Sequence, residues 1–324
     1  MAQTEIPDSV VVSMQSLISL RLLAGKSIGS TRKKSAAQRS GNFSSPFRGR
    51  GMDFSEVRLY QPGDDIRSID WRVTARTGDT HTKLYTEERE RAIYFVVDTG
   101  PAMQFGTQVS FKSVVASKVA GLLAWSSMSH GDRVGGILFS GEQHKELKPV
   151  GGKRGVLTFL KSLVDWNHKI FDELRSDTEI QSKPQSQSGE SGFVDVVSRL
   201  KRIAKPGSLI FIVSDFDTLN ETAKLYLSQI SQHCDICFIK VYDELEKNAP
   251  PSGQYMLSDG TRSGKFVVSE KTTHQAILSD FNAIENSIKQ FCLKSGIHFF
   301  SICSTDDLAR HITVNMHRKA SKGR

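Results

Sequence analysis

Two stretches of the chain, AIYFVVDTGPAM at 92–103 and SLIFIVSDFD at 208–217, run a near-continuous apolar strand straight into a carboxylate. A strand without polar alternation is buried on both faces, which points to a parallel sheet covered by helices. The rest of the chain from 92 onward repeats the theme. Val114, Val115, Val119, Leu122 and Leu123 mark a helical stripe. DRVGGILFS (132–140) and DICFIKVYD (235–243) are further apolar strands, HFFSICS (298–304) is the last, and EQHKELKPV (142–150) reads as a short antiparallel edge. Helices are expected at 155–170, 193–204, 220–233 and 276–296, a polar loop at 175–192 and a hairpin at 250–269. The expectation is an α/β fold, a doubly wound, mostly parallel sheet over 92–310. A smaller β-rich segment at 49–91 precedes it, with EVRLY and HTKLYTEE as strands. An N-terminal helix and basic linker fill 1–48, and a basic tail fills 311–324.

In open α/β sheets ligands bind at the carboxyl ends of strands, where the strand order reverses. Asp98 and Asp215 each stand where a strand runs out, so the two carboxylates are candidates for one crevice. An aspartic protease needs a second Asp-Thr-Gly turn, and Asp217-Thr218-Leu219 and Asp259-Gly260-Thr261 do not match. An aspartyl-nucleophile phosphatase needs an acid two residues on, where this chain has Gly100. TGPAMQFG lacks the spacing of a dinucleotide loop, and Pro101 removes a donor. A metal-ion-dependent adhesion site, with the pattern Asp-x-Ser-x-Ser, places a first ligand here. Mg²⁺ takes one or two protein carboxylates in an octahedral oxygen shell. Asp98 and Asp215 can supply those, but Gly100 and Ala102 stand where the pattern wants hydroxyls. The alternative is that each Asp caps the following helix or binds loop amides. No cofactor, or weakly bound Mg²⁺, is therefore expected.

The formal net charge is +8, with Lys26 to Arg50 basic throughout and free of acids. Such a run suits nucleic acid or an acidic protein face, but neither an aromatic ladder nor a recognition-helix motif accompanies it, so nucleic acid is not the expected partner. The four cysteines, Cys234, Cys237, Cys292 and Cys303, are too few for a disulfide framework and suit a reducing cytoplasm. No stretch of about 18 apolar residues occurs, so no membrane span is expected.

The segment from Gly51 carries one more pattern. Gly51, Phe54, Glu56, Arg58, Tyr60, Gly63, Asp64, Arg67, Ile69, Asp70, Trp71, Ala75 and Arg76 follow G-x-x-F-x-E-x-R-x-Y-x-x-G-D-x-x-R-x-I-D-W-x-x-x-A-R. This resembles the bacterial domain-of-unknown-function-58 family, whose members carry a von Willebrand factor A-like domain. The resemblance covers roughly 50–303 and implies no catalytic activity. It implies an adaptor working beside a MoxR-type AAA+ ATPase in assembling or activating other complexes. It also implies a metal site that is degenerate here, with Asp98, Asp215 and, as a shifted stand-in for a middle-loop threonine, Ser191. The dense charges around Trp71 read either as an ion-pair network on an apolar anchor or as a partner-docking face of Arg58, Asp64, Arg67, Asp70, Trp71 and Arg76. A hydrolase using Asp98 and Asp215, or a nucleic-acid-associated protein, are the competing classes.

Overall fold

Apolar residues alternating between two faces of the strands decide the layering. The computed structural model describes residues 6–27, 52–87, 90–177, 188–248, 250–251, 253–258, 263–268 and 272–321. The basic linker from 28 to 48 and most of the expected polar loop lie outside the described residues. Two compact units emerge: Met1–Thr31 together with Arg91–Arg324, and Arg32–Glu90.

In the larger unit, helices α1 (Met14–Ser19) and α2 (Arg21–Ser27) come first. After the smaller unit, which holds β1, β2 and α3, follow β3 (Ala92–Asp98), α4 (Lys112–Ser129), β4 (Arg133–Ser140), β5 (Gln143–Gly151) and α5 (Gly152–Asp177). Then come α6 (Ser188–Ile203), β6 (Leu209–Ser214), α7 (Glu221–Ser231), β7 (Asp235–Tyr242) and α8 (Glu244–Lys247). The hairpin β8 (Gly253–Ser258) and β9 (Ser263–Val268) leads to α9 (Thr272–Ser295), β10 (His298–Cys303) and α10 (Leu308–Ser321).

The central sheet has the order β10-β7-β6-β3-β4-β5. Every neighbouring pair is parallel except β4 and β5, which run antiparallel as the edge pattern predicts. Ile93, Phe95, Val97, Phe211 and Val213 point to one face, where α1, α2, α4, α5 and α10 cover them. Tyr94, Val96, Ile210, Ile212 and Phe238 point to the other, beneath α6, α7 and α9. This is the mostly parallel, doubly covered α/β sheet that the apolar strands require.

The smaller unit pairs β1 (Met52–Leu59) with β2 (His81–Glu87) antiparallel, with an irregularity between Phe54 and Glu56. Between the strands lie a 3-10 turn at Ile66–Ser68 and helix α3 (Trp71–Thr77).

Four local expectations need correction. The single N-terminal helix expected ahead of the basic linker is two short helices meeting at Leu20. The segment read as β-rich contains α3, because Asp70 caps its start and Gly78, at φ 84°, closes it in the left-handed region. The expected tail at 311–324 is helical as far as Ser321, because Leu308, Ile312 and Met316 make an apolar stripe that packs on the core. The loop expected up to 192 gives way to helix at Ser188.

Candidate functional site

From β3 the chain crosses to β4 on one side, while β6 passes to β7 on the other. The sheet therefore reverses its order between β3 and β6, and their carboxyl ends define the switch-point edge. Asp98 is the last residue of β3 and Asp215 follows the last residue of β6. The expected convergence occurs, but through residues the sequence reading did not name.

Ser214 Oγ donates to Asp98 Oδ2 at 2.6 Å, and the Gly100 backbone N–H donates to Oδ1 at 2.9 Å. Both oxygens of Asp98 are thus engaged by the protein. Asp98 is 7% exposed, and its carboxyl is pushed up to about 7 by burial first and by the Asp215 charge second.

Asp215 is held differently. Phe216, the next residue, sits at φ 63°, a left-handed conformation that costs a non-glycine residue free energy. Its ring is buried, stacked on Phe238 at 4.5 Å and edge-on to Phe193. Its N–H donates to Ser214 Oγ at 3.1 Å, and the Asp217 N–H donates to Asp215 Oδ1 at 3.2 Å. The other oxygen of the Asp215 carboxylate meets Lys112, the first residue of α4. Lys112 Nζ lies 3.2 Å from Asp215 Oδ2 and 2.6 Å from Glu246 Oε1. Lys112 is 1% exposed. Burial alone would lower its pKa, but the charges of Asp215 and Glu246 outweigh that and raise it, so the side chain is an ammonium.

The network continues along the edge. Glu246 Oε2 accepts from the Asp243 N–H at 2.8 Å, closing a capping box on α8. Asp243, at the end of β7, accepts from Ser304 Oγ at 2.7 Å and from the Thr107 N–H at 3.1 Å. These acceptances hold its carboxyl below the usual range even though burial opposes them. Beside them Lys240 is buried, with Nζ 4.6 Å from the Phe281 ring centroid, and burial lowers its pKa.

Among the described residues no three His, Cys, Asp or Glu side chains are grouped to hold a metal ion. Ala102 is exposed, and a side chain at Gly100 would place its Cβ 3.1 Å from Asp98 Oδ1. The third named ligand, Ser191, stands within α6 rather than in the loop before a helix, and its side chain lies outside the described residues. Its neighbour Gly192 is buried, and a Cβ there would meet the Gly141 carbonyl at 1.9 Å. Lys112, Glu246, Ser214 and Asp243 were all missed. The one visible hint was a lysine at the start of a helix with a strongly apolar stripe.

In the smaller unit the signature residues separate into roles. Arg58 Nη2 pairs with Asp64 Oδ1 at 2.6 Å, and the Gln61 N–H holds the other oxygen at 2.9 Å. Asp70 caps α3 through the Arg72 and Val73 N–H groups at 3.0 and 3.2 Å and pairs with Lys83 at 3.5 Å. Arg67 and Arg76 are exposed. Trp71 is 67% exposed, so the anchor reading is overturned: its ring faces solvent. The four cysteines are free and buried, with burial pushing Cys292 up to about 12. Among the described residues no helix is long and apolar enough to cross a membrane.

A family model described as "Protein of unknown function DUF58" matches residues 56–289. Uncharacterized protein Rv1480 of Mycobacterium tuberculosis is 29% identical over 235 residues, covering 72% of this chain and 67% of that protein. Uncharacterized protein Mb1516 of Mycobacterium bovis matches with the same identity and coverage. Among solved structures, the conserved hypothetical protein BatB from Bacteroides thetaiotaomicron aligns with a TM-score of 0.40 and 11% identity, over 72% of this chain and 100% of that one. An aerotolerance-related membrane protein from Bacteroides fragilis aligns with a TM-score of 0.43 and 13% identity, over 72% of this chain and 99% of that one.

Proposed function

The chain belongs to the DUF58 family, whose function is unknown, and from that premise we propose that it is a non-enzymatic, cytoplasmic interaction protein built on a von Willebrand factor A-like sheet. Its partner in this reading is a MoxR-type AAA+ ATPase, with which it assembles or activates other protein complexes. The observation that carries the non-enzymatic part is the state of the switch-point edge. Ser214, Asp98, Lys112 and Asp215 are between 0% and 7% exposed. Each spends its hydrogen bonds on another of the four, on the backbone or, for Lys112, on Glu246. A nucleophile or general base has to reach a substrate, and these groups are turned inward onto protein partners. Mg²⁺ is weakly held or absent in this reading, because Lys112 already occupies Asp215 and Glu246 and both Asp98 oxygens accept hydrogen bonds.

The partner-binding part rests on the smaller unit. Trp71 presents a large ring to solvent, with Arg67, Arg72 and Arg76 exposed on the same short segment. Aromatic and arginine side chains are favoured at interface hot spots. The test uses a purified MoxR-type ATPase encoded in the same genome. Co-elution on size exclusion that survives high salt and is lost in Trp71→Ala supports the reading. A wild-type chain that fails to co-elute with the ATPase, with or without nucleotide, would retire it.

A further inference from the structure

We infer that the ammonium of Lys112 is the resident cation of the switch-point edge, standing where a divalent metal ion would otherwise neutralise the converging carboxylates. The inference deepens the reading of this edge as one that does without a metal, and rests on it.

The position of Lys112 makes sense in no other way. A lysine at the first residue of a helix lies at the positive end of the helix dipole. At 1% exposure it has also left water, and an unpaired buried charge is strongly unfavourable. Both costs are offset by two carboxylates, Asp215 at 3.2 Å just after β6 and Glu246 at 2.6 Å in α8.

Asp215 and Glu246 bring two carboxylates to one point, and the Lys112 ammonium is the cation between them. Gly100 and Ala102 carry no hydroxyls and both Asp98 oxygens already accept hydrogen bonds, so a divalent ion with its waters would depend on Asp215 and Glu246, which Lys112 occupies.

The experiment titrates the full-length protein with Mg²⁺ and Mn²⁺ by calorimetry, and follows melting with and without Mg²⁺. Wild type is expected to show no saturable binding at millimolar metal. Lys112→Ala vacates the ammonium and is expected to bind at least about tenfold tighter than wild type, with a melting temperature that rises with Mg²⁺. The gain should vanish in Lys112→Ala/Asp215→Ala. A folded Lys112→Ala that binds no better than wild type overturns the inference while leaving the metal-free reading in place. Saturable wild-type binding that disappears in Asp215→Ala overturns both. If Lys112→Ala does not fold in metal-free buffer, recovery of its circular dichroism on adding Mg²⁺ supports the inference, and absence of recovery overturns it.

Discussion

Ser214 Oγ donates to Asp98 Oδ2 at 2.6 Å, so the last residue of one central strand holds the last residue of its neighbour. The same oxygen accepts from the Phe216 N–H. One hydroxyl therefore orients an acid and supports a left-handed kink. Ser214→Ala leaves a buried carboxylate oxygen and a buried N–H without their partner. The expected loss is about 1–3 kcal/mol, read as a lower urea midpoint with unchanged m. A loss too small to measure would show that Ser214 is a spectator.

The Asp98 carboxyl gives the protein a pH signature with a definite sign. Its folded value, about 7, lies above its ordinary value of 3.8, with burial as the main cause and the Asp215 charge next. Between those limits the folded state holds more protons than the unfolded state, so stability falls as pH rises through the window. The contribution is complete below the ordinary value and gone above the raised one. Asp98→Asn keeps the shape without titrating. It should reduce the difference between urea midpoints measured near about pH 5 and about pH 8, the remainder coming from Asp217, which burial pushes up to about 6. An unchanged slope in the variant would move the effect to another group.

Trp71 and Asp70 are adjacent but should behave oppositely. The Asp70 carboxylate satisfies two N–H groups of α3, so Asp70→Ala should cost about 1 kcal/mol in unfolding measurements. Trp71 is exposed, so Trp71→Ala should leave stability within about 0.5 kcal/mol. Under the proposed function only the second should abolish binding to the ATPase at unchanged stability. Equal stability losses in the two variants would contradict the separation of roles.

Gly192 offers a test in which propensity and packing disagree. Alanine in a helix is ordinarily preferred over glycine by about 1 kcal/mol. Here a Cβ would stand 1.9 Å from the Gly141 carbonyl, so backbone must move. Gly192→Ala should therefore destabilise by about 1–3 kcal/mol. A more stable variant would mean that α6 can back away from the turn after β4 at little cost.

The strands of the large unit were legible because burial on both faces leaves a simple mark, an unbroken apolar run. The edge strand β5 was legible for the opposite reason: its polar alternation shows one covered side. Helix α3 was hidden because its cap signals, Asp70 and Gly78, stood among charges that resembled a turn-rich segment. Asp98 and Asp215 could be placed because each terminates its own strand. Lys112 and Glu246 could not be paired by inspection. They are 134 residues apart, and only the folded sheet brings β3, β6 and β7 to one edge. Ser191 failed for a local reason, since the helix expected to begin after it already runs through it.

The Trp125 indole N–H donates to the Leu17 carbonyl at 2.9 Å, and α2 packs on both α4 and α10. During synthesis α1 and α2 leave the ribosome before any of their partners exist. Their apolar faces stay uncovered until α4 has been made, and the last side is closed only when α10 emerges. The smaller unit is translated inside that interval. The chain therefore has an ordered assembly in which an inner segment can finish before the flanking one, and in which losing α10 would leave α2 without part of its cover.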